Sequence, residues 1–238
     1  MRLAEPVCAS WQAELALDFA RRAGRTVLAR RRHAGPLQVQ KPFYPEGDAV
    51  CHAIVLHPPG GIAGGDELQI GAAVEADAHA LLTTPGAGKW YRSAGPWARQ
   101  DLAFRVGGCL EWLPQETILF DGALAQMTTT IDLAPGARYL GWEILCLGRT
   151  GSGERYARGA ACIATEIRRA GKLLWCERGR IEGGGALLGS SAGFGGHTVC
   201  ATLLATGEID ADCLAECRSD PQVALTCPPG LVVARHLG

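Results

Sequence analysis

A strand-turn-strand pattern that returns three times in the middle of the chain is the strongest constraint on its architecture. Small or turn-forming pairs stand at Asp77-Ala78, Gly108-Cys109 and Gly136-Ala137, spaced 31 and 28 residues apart. Each follows a β-like run (68–74, 102–106 and 128–133) and precedes another (80–84, 110–113 and 139–147). A unit this short cannot bury an apolar face by itself, so recurrence near one period predicts stacked β units that cover their neighbours. An antiparallel sandwich gives similar spacing. The expected fold class is mainly β: stacked strand-turn-strand units, β-helix-like or in layered sheets, with a few short helices.

The flanks agree. Trp11, Ala13, Leu15, Leu17 and Phe19 alternate with Gln12, Glu14, Ala16 and Asp18, the period of a strand with one buried face. Further β-like runs cover 26–29, 37–40, 160–167, 172–176 and 231–234, with Gly35-Pro36 as a turn signal. Asp210 can cap a short helix through about Arg218, with Leu214 and Cys217 on one face. Residues 182–196 hold seven glycines and two serines, which marks a loop. With 238 residues the chain is long enough for one large all-β domain with a real core.

Charge and composition exclude several classes. A formal net charge of −1 gives no support for nucleic-acid wrapping by counterion release. The one basic run, Arg30, Arg31 and Arg32, lies in a strand-like stretch and is expected to be a solvated face. The first ten residues lack the apolar core of a signal peptide, and no later segment reaches the length of a membrane span, so a cytosolic protein is expected. Ten cysteines stand singly, most within apolar runs, without a Cys-x-x-Cys pair, and are expected to be small buried hydrophobes.

The stretch His57-Pro58-Pro59-Gly60-Gly61-Ile62-Ala63-Gly64-Gly65-Asp66 is too rich in proline and glycine for helix or ladder and must be a shaped loop. It leaves an apolar run and ends on carboxylates. Gly86-Ala87-Gly88-Lys89 approaches a phosphate-binding loop but fails at both ends, with Thr83 in place of the first glycine and Trp90 in place of the hydroxyl. Gly189-Ser190-Ser191-Ala192-Gly193 matches the nucleophile elbow of serine hydrolases. Asp210, Asp212 or Asp220 and His236 would complete the order, and the 57–61 loop could serve as oxyanion hole. The elbow needs a strand before it and a helix after it, and Phe194-Gly195-Gly196 cannot begin a stable helix. Six histidines are scattered, and a lone histidine is more often structural than a ligand. The acids Glu46, Asp48, Asp66 and Glu67 flank proline-fixed loops, while Glu116, Glu154 and Glu177 follow later β-like runs. Carboxylates hold divalent first-row ions more loosely than thiolate clusters do, which suits passage of a metal better than storage.

Several motifs in order carry a resemblance: Gly35-Pro36-Leu37, Phe43-Tyr44-Pro45-Glu46, His57-Pro58-Pro59-Gly60-Gly61-Ile62 with Gly64-Gly65-Asp66, Thr83-Thr84-Pro85-Gly86, Lys89 with Tyr91-Arg92-Ser93, Glu111-Trp112-Leu113-Pro114-Gln115-Glu116, Leu147-Gly148-Arg149 and Ser152-Gly153-Glu154. With them the sequence resembles the UreD (UreH) urease accessory protein family from Trp11 to about Arg178. The resemblance implies a non-enzymatic, cytoplasmic scaffold with no nucleic-acid or membrane partner. It would bind apo-urease with a helical UreF-like protein and, through the complex, a nickel-carrying UreG-like GTPase. It also implies a mostly β stack, no tightly bound cofactor and transient Ni2+ in an internal channel. Asp66 is the first candidate for lining that channel, followed by Glu46 or Asp48 and Glu177. A single UreD-like domain over residues 1–238 is expected, lacking the family's further C-terminal helical segment and Pro-Arg-Ile-Trp-like tail. A serine hydrolase using Ser191, or an interaction module with no metal route, are the alternatives.

Overall fold

The computed structural model describes residues 10–238. The chain opens with a hairpin, β1 (Gln12–Arg22) and β2 (Arg25–Ala34), then β3 (Gln38–Val39) and β4 (Val50–Leu56). It next winds as a coil. One turn is β5 (Glu67–Val74), β6 (His79–Thr83) and β7 (Gly88–Trp90), and the next is β8 (Ala98–Val106), β9 (Cys109–Leu113) and β10 (Thr117–Leu119). A third holds β11 (Leu124–Leu133) and the long β12 (Arg138–Leu147); β13 (Ala160–Arg169) begins a fourth and folds back in β14 (Lys172–Glu182). The end of the chain adds helix α1 (Ala186–Gly189), β15 (Val199–Thr206), helix α2 (Ala211–Ser219), β16 (Val223–Thr226) and β17 (Leu231–Leu237).

Two sheets result. The seven-stranded sheet runs β14-β13-β11-β8-β5-β1-β2, and the ten-stranded sheet runs β16-β17-β15-β12-β9-β6-β4-β3, with β10 and β7 joined to it beside β12. Within the coil all pairing is parallel and in register. Ala72, Phe104, Ile131 and Ile167 form one row, His79, Cys109 and Arg138 a second, and Trp90, Leu119 and Leu147 a third. The stacked units expected from the spacing of Asp77, Gly108 and Gly136 are therefore successive turns of this coil. Antiparallel pairs close its ends, β2 on β1 and β14 on β13.

Alternation explains the core. Leu68, Ile70, Ala72 and Val74 of β5 are buried while Glu67 and Gln69 are exposed, and β8 repeats this with Leu102, Phe104 and Val106. Leu82, Leu110, Trp112 and Tyr139 supply the buried side of the ten-stranded sheet. The corner between the sheets demands small residues, because a Cβ on Gly108 would lie 2.2 Å from the carbonyl oxygen of Ala78 in the turn above. Asp77 meets the same corner with φ 62°, a left-handed conformation that aspartate tolerates better than most residues.

Several elements depart from the sequence pattern. The three-residue strands β7 and β10 have no counterpart in the sequence pattern, since they are too short to show a period and exist through parallel pairing with each other and β12. On this third face Tyr91 meets Phe120 edge-on at 5.1 Å, and the Arg149 guanidinium sits over the Phe120 ring at 4.4 Å. α2 forms where Asp210 predicts it, its side chain accepting the Cys213 N–H. The cysteines depart more sharply. Among the described ones only Cys51 is buried, and Cys176, Cys213 and Cys227 are exposed. Apolar runs in this fold alternate between core and surface, so membership in a run does not decide burial.

Leu110 is fully buried at the centre of β9. Leu110→Ala is expected to destabilise the fold by about 3 kcal/mol in urea titration, whereas Leu173→Ala, on the exposed edge, should cost about 0.5 kcal/mol or less.

Candidate functional site

The inward rows of the two sheets change character along the stack, and the site follows from that change. On the seven-stranded sheet one inward row runs Ile70, Leu102, Thr129, Thr165, Glu177, from apolar to polar. Opposite it, Glu143 of β12 pairs with Thr202 of β15, which pairs with Arg235 of β17. Polar side chains do not interlock as Leu and Phe do, and a cavity of about 850 Å³ remains between these rows. Thr129, Thr165, Glu177, Glu143, Thr202 and Arg235 line it. Arg235 donates to Glu177 Oε1 at 2.5 Å, an ion pair linking the two sheets.

A second cavity of about 260 Å³ lies beside the first and shares Glu143 and Trp112 with it. His57, Gly60, Thr84, Gln100, Thr117 and Lys89 also line it. Two polar atoms here are buried without a hydrogen-bond partner: Glu143 Oε1 and His57 Nε2. Burial raises the Glu143 carboxyl above the usual carboxylate range, opposed by a hydrogen bond from Thr117. Burial likewise lowers the His57 imidazole, opposed by the charge of Asp66. Desolvation thus favours the neutral form of each.

The four acids expected at a metal route lie apart. Asp66 is buried and fully engaged: Oδ1 accepts the Trp11 N–H at 2.7 Å and Oδ2 accepts the Ala63 N–H at 2.8 Å. Its carboxylate locks the 57–66 loop to the start of β1 and lines neither cavity. Glu46 is exposed and pairs with His52 Nε2 at 2.6 Å, and Asp48 is exposed and pairs with Arg25 at 3.3 Å. Glu177 alone faces a cavity. Among the described residues no group of three or more His, Cys, Asp or Glu side chains is placed to hold a metal ion.

Two polar loops from successive turns of the stack meet. Residues 84–89 and Pro114-Gln115 both border the smaller cavity, joined by the Gln115 N–H donating to Thr84 Oγ1 at 3.0 Å. The loop after Leu147 borders neither and is braced by Arg149 donating to Glu154 at 2.7 Å. Ser191 is exposed in a turn that follows α1, so the strand-to-helix elbow is absent. Glu143 was not singled out in the sequence, although it left a signal. It is the one carboxylate inside the apolar run 139–147, in phase with Tyr139, Gly141 and Leu145, the inward positions of β12.

Two outcomes follow. Asp66→Ala leaves two backbone N–H groups without their acceptor and should destabilise the fold by about 3 kcal/mol in chemical denaturation. For Glu143 the folded state binds more protons than the unfolded state above the ordinary glutamate range. Its contribution to stability therefore falls as pH rises through that window. Glu143→Gln removes this penalty, so the melting temperature of the variant relative to wild type should increase between about pH 4.5 and pH 7.

Comparison with known proteins covers almost the entire chain. The family model for the UreD urease accessory protein matches residues 12–238. The urease accessory protein UreD of Azoarcus sp. (strain BH72) is 56% identical over 237 residues, spanning 96% of this chain and 82% of that protein. The proteins of the same name from Dechloromonas aromatica (strain RCB) and Nitrosococcus oceani are 53% and 52% identical, each spanning 96% of this chain and 83% and 79% of their own lengths. With the ordered motifs, the coil of stacked strands and a match of this extent in agreement, the chain belongs to the UreD urease accessory protein family.

Proposed function

We propose that the protein supports urease maturation as a non-catalytic cytoplasmic scaffold that lets nickel pass between its two sheets to apo-urease. The observation that carries this reading is the pair of adjoining cavities that meet at Glu143. Their lining suits a borderline divalent ion in transit. Carboxylate, neutral imidazole and hydroxyl groups are acceptable nickel ligands, and here they are spread along a path rather than gathered. A route must attract an ion and also release it, which single spaced ligands do better than a closed site.

Each residue has a defined part. Glu177 is held by Arg235, so an arriving cation exchanges with a guanidinium at that carboxylate. Glu143 stands where the cavities meet, and a cation arriving there favours its carboxylate form, because the positive charge offsets the cost of burial. His57 lines the smaller cavity. Asp66 serves the route indirectly by fixing the loop that carries His57. Family membership supports apo-urease as the recipient, with a helical UreF-like protein and a UreG-like GTPase in the same assembly.

Co-expression with urease and its accessory proteins tests the reading. Glu143→Gln and Glu177→Gln should each reduce urease activity at limiting nickel by about tenfold or more while the assembly still forms. The alternative is a module that assembles the complex with no part in metal passage. It predicts full nickel loading in both variants, and that result would overturn the route.

A further inference from the structure

The outer strand of the first hairpin is an open edge. β2 ends the seven-stranded sheet and pairs with β1 along one side only. Thr26 near its start is buried, yet residues 29–34 are all exposed. Arg31 and His33 stand opposite Leu17 and Leu15, on the side that along β1 is core. Both side chains are nevertheless exposed. Arg30 and Arg32 occupy the other side, opposite Asp18 and Ala16.

Charge is strongly one-sided here. Arg30 reaches Asp18 at 3.5 Å, Arg25 pairs with Asp48 and Arg22 with Glu75. Among the described residues Arg21, Arg31 and Arg32 have no carboxylate within salt-bridge distance. One charged side chain is enough to discourage accidental pairing at a sheet edge. Three successive arginines and a histidine go further, placing positive charge on both faces of an edge whose outward N–H and C=O groups are open. Such an edge repels neutral and basic strands and selects an acidic one.

We infer that β2 is a docking edge for a carboxylate-rich extended segment of a partner protein, which pairs along residues 29–34 as an eighth strand. Backbone hydrogen bonds supply the register, and carboxylates on alternate faces of the added strand meet Arg31 on one side and Arg30 and Arg32 on the other. The inference rests on the reading that the chain works inside a urease maturation assembly.

The test uses the full chain co-expressed with apo-urease and the other accessory proteins. Assembly is measured by affinity capture at low and high salt for wild type, R31E/R32E and K172E/R178E. Lys172 and Arg178 are exposed on β14, the opposite edge of the same sheet, and give the same change in net charge. R31E/R32E should weaken capture of one partner at least about tenfold at low salt, with the loss shrinking as salt rises. R31Q/R32Q should weaken it less, and K172E/R178E should leave it unchanged. Circular dichroism and melting temperature should match wild type in all variants, because the altered side chains are exposed. In the wild-type assembly the outward-facing amides among residues 29–34, those not already bonded to β1, should become protected from hydrogen exchange. Equal capture by R31E/R32E and wild type, or outward-facing amides at 29–34 that exchange as fast in the assembly as in the free chain, overturns the docking edge alone. Capture of no partner by the wild-type chain overturns the maturation reading and the docking edge with it.

Discussion

Parallel, in-register stacking of one chain turn on the next is the constraint on which everything else depends. Each turn contributes a strand to each sheet, the first two adding the short β7 and β10, and its backbone groups are satisfied by the neighbouring turns. Because the register does not slip, inward residues of successive turns line up in straight rows. A row can therefore change chemistry step by step along the stack, from Ile70 to Glu177, without any strand leaving the sheet.

That geometry explains how a cavity survives between the sheets of a protein with a well-filled core. Where the rows carry Leu, Ile, Val and Phe, the sheets interlock as other protein interiors do. Where the rows carry Thr, Glu and Gly, the side chains do not fill the same space, and the Glu177–Arg235 pair spans part of the gap. Two buried polar atoms without partners, Glu143 Oε1 and His57 Nε2, are costly in a structural core. Both residues line the smaller cavity, so these atoms lie beside the space between the sheets rather than in the filled core.

The proline- and glycine-rich loop has a different part from the one its terminal acid indicates. Gly61 sits under the Tyr91 ring, where a Cβ would lie 2.2 Å from a ring carbon. Asp66 binds two backbone N–H groups, one from within the loop and one from the start of β1. The loop is thus a clamp, and the residue it delivers to a cavity is His57 at its beginning. Residue type alone favours the carboxylate over the imidazole, and only the hydrogen-bond partners reverse that preference.

Much of the architecture was legible in the sequence because it rests on local rules. Period-two alternation, small residues at sheet corners and the Asp210 cap each act within a few residues, and the ordered motifs were enough to place the chain in its family. Short strands β7 and β10 were not legible, since their pairing partners lie almost thirty residues away in the chain. Nor was the site. Whether Asp66, Glu177 or Glu143 faces a cavity depends on which rows meet across the two sheets and on which acids are already engaged by N–H groups or arginines. The sequence by itself determined the longer strands, their turns and the stacking period, because these follow from backbone geometry and side-chain alternation. Only the tertiary structure decided which carboxylates stay unpaired inside and which edge stays open, because both depend on contacts between residues far apart in the chain.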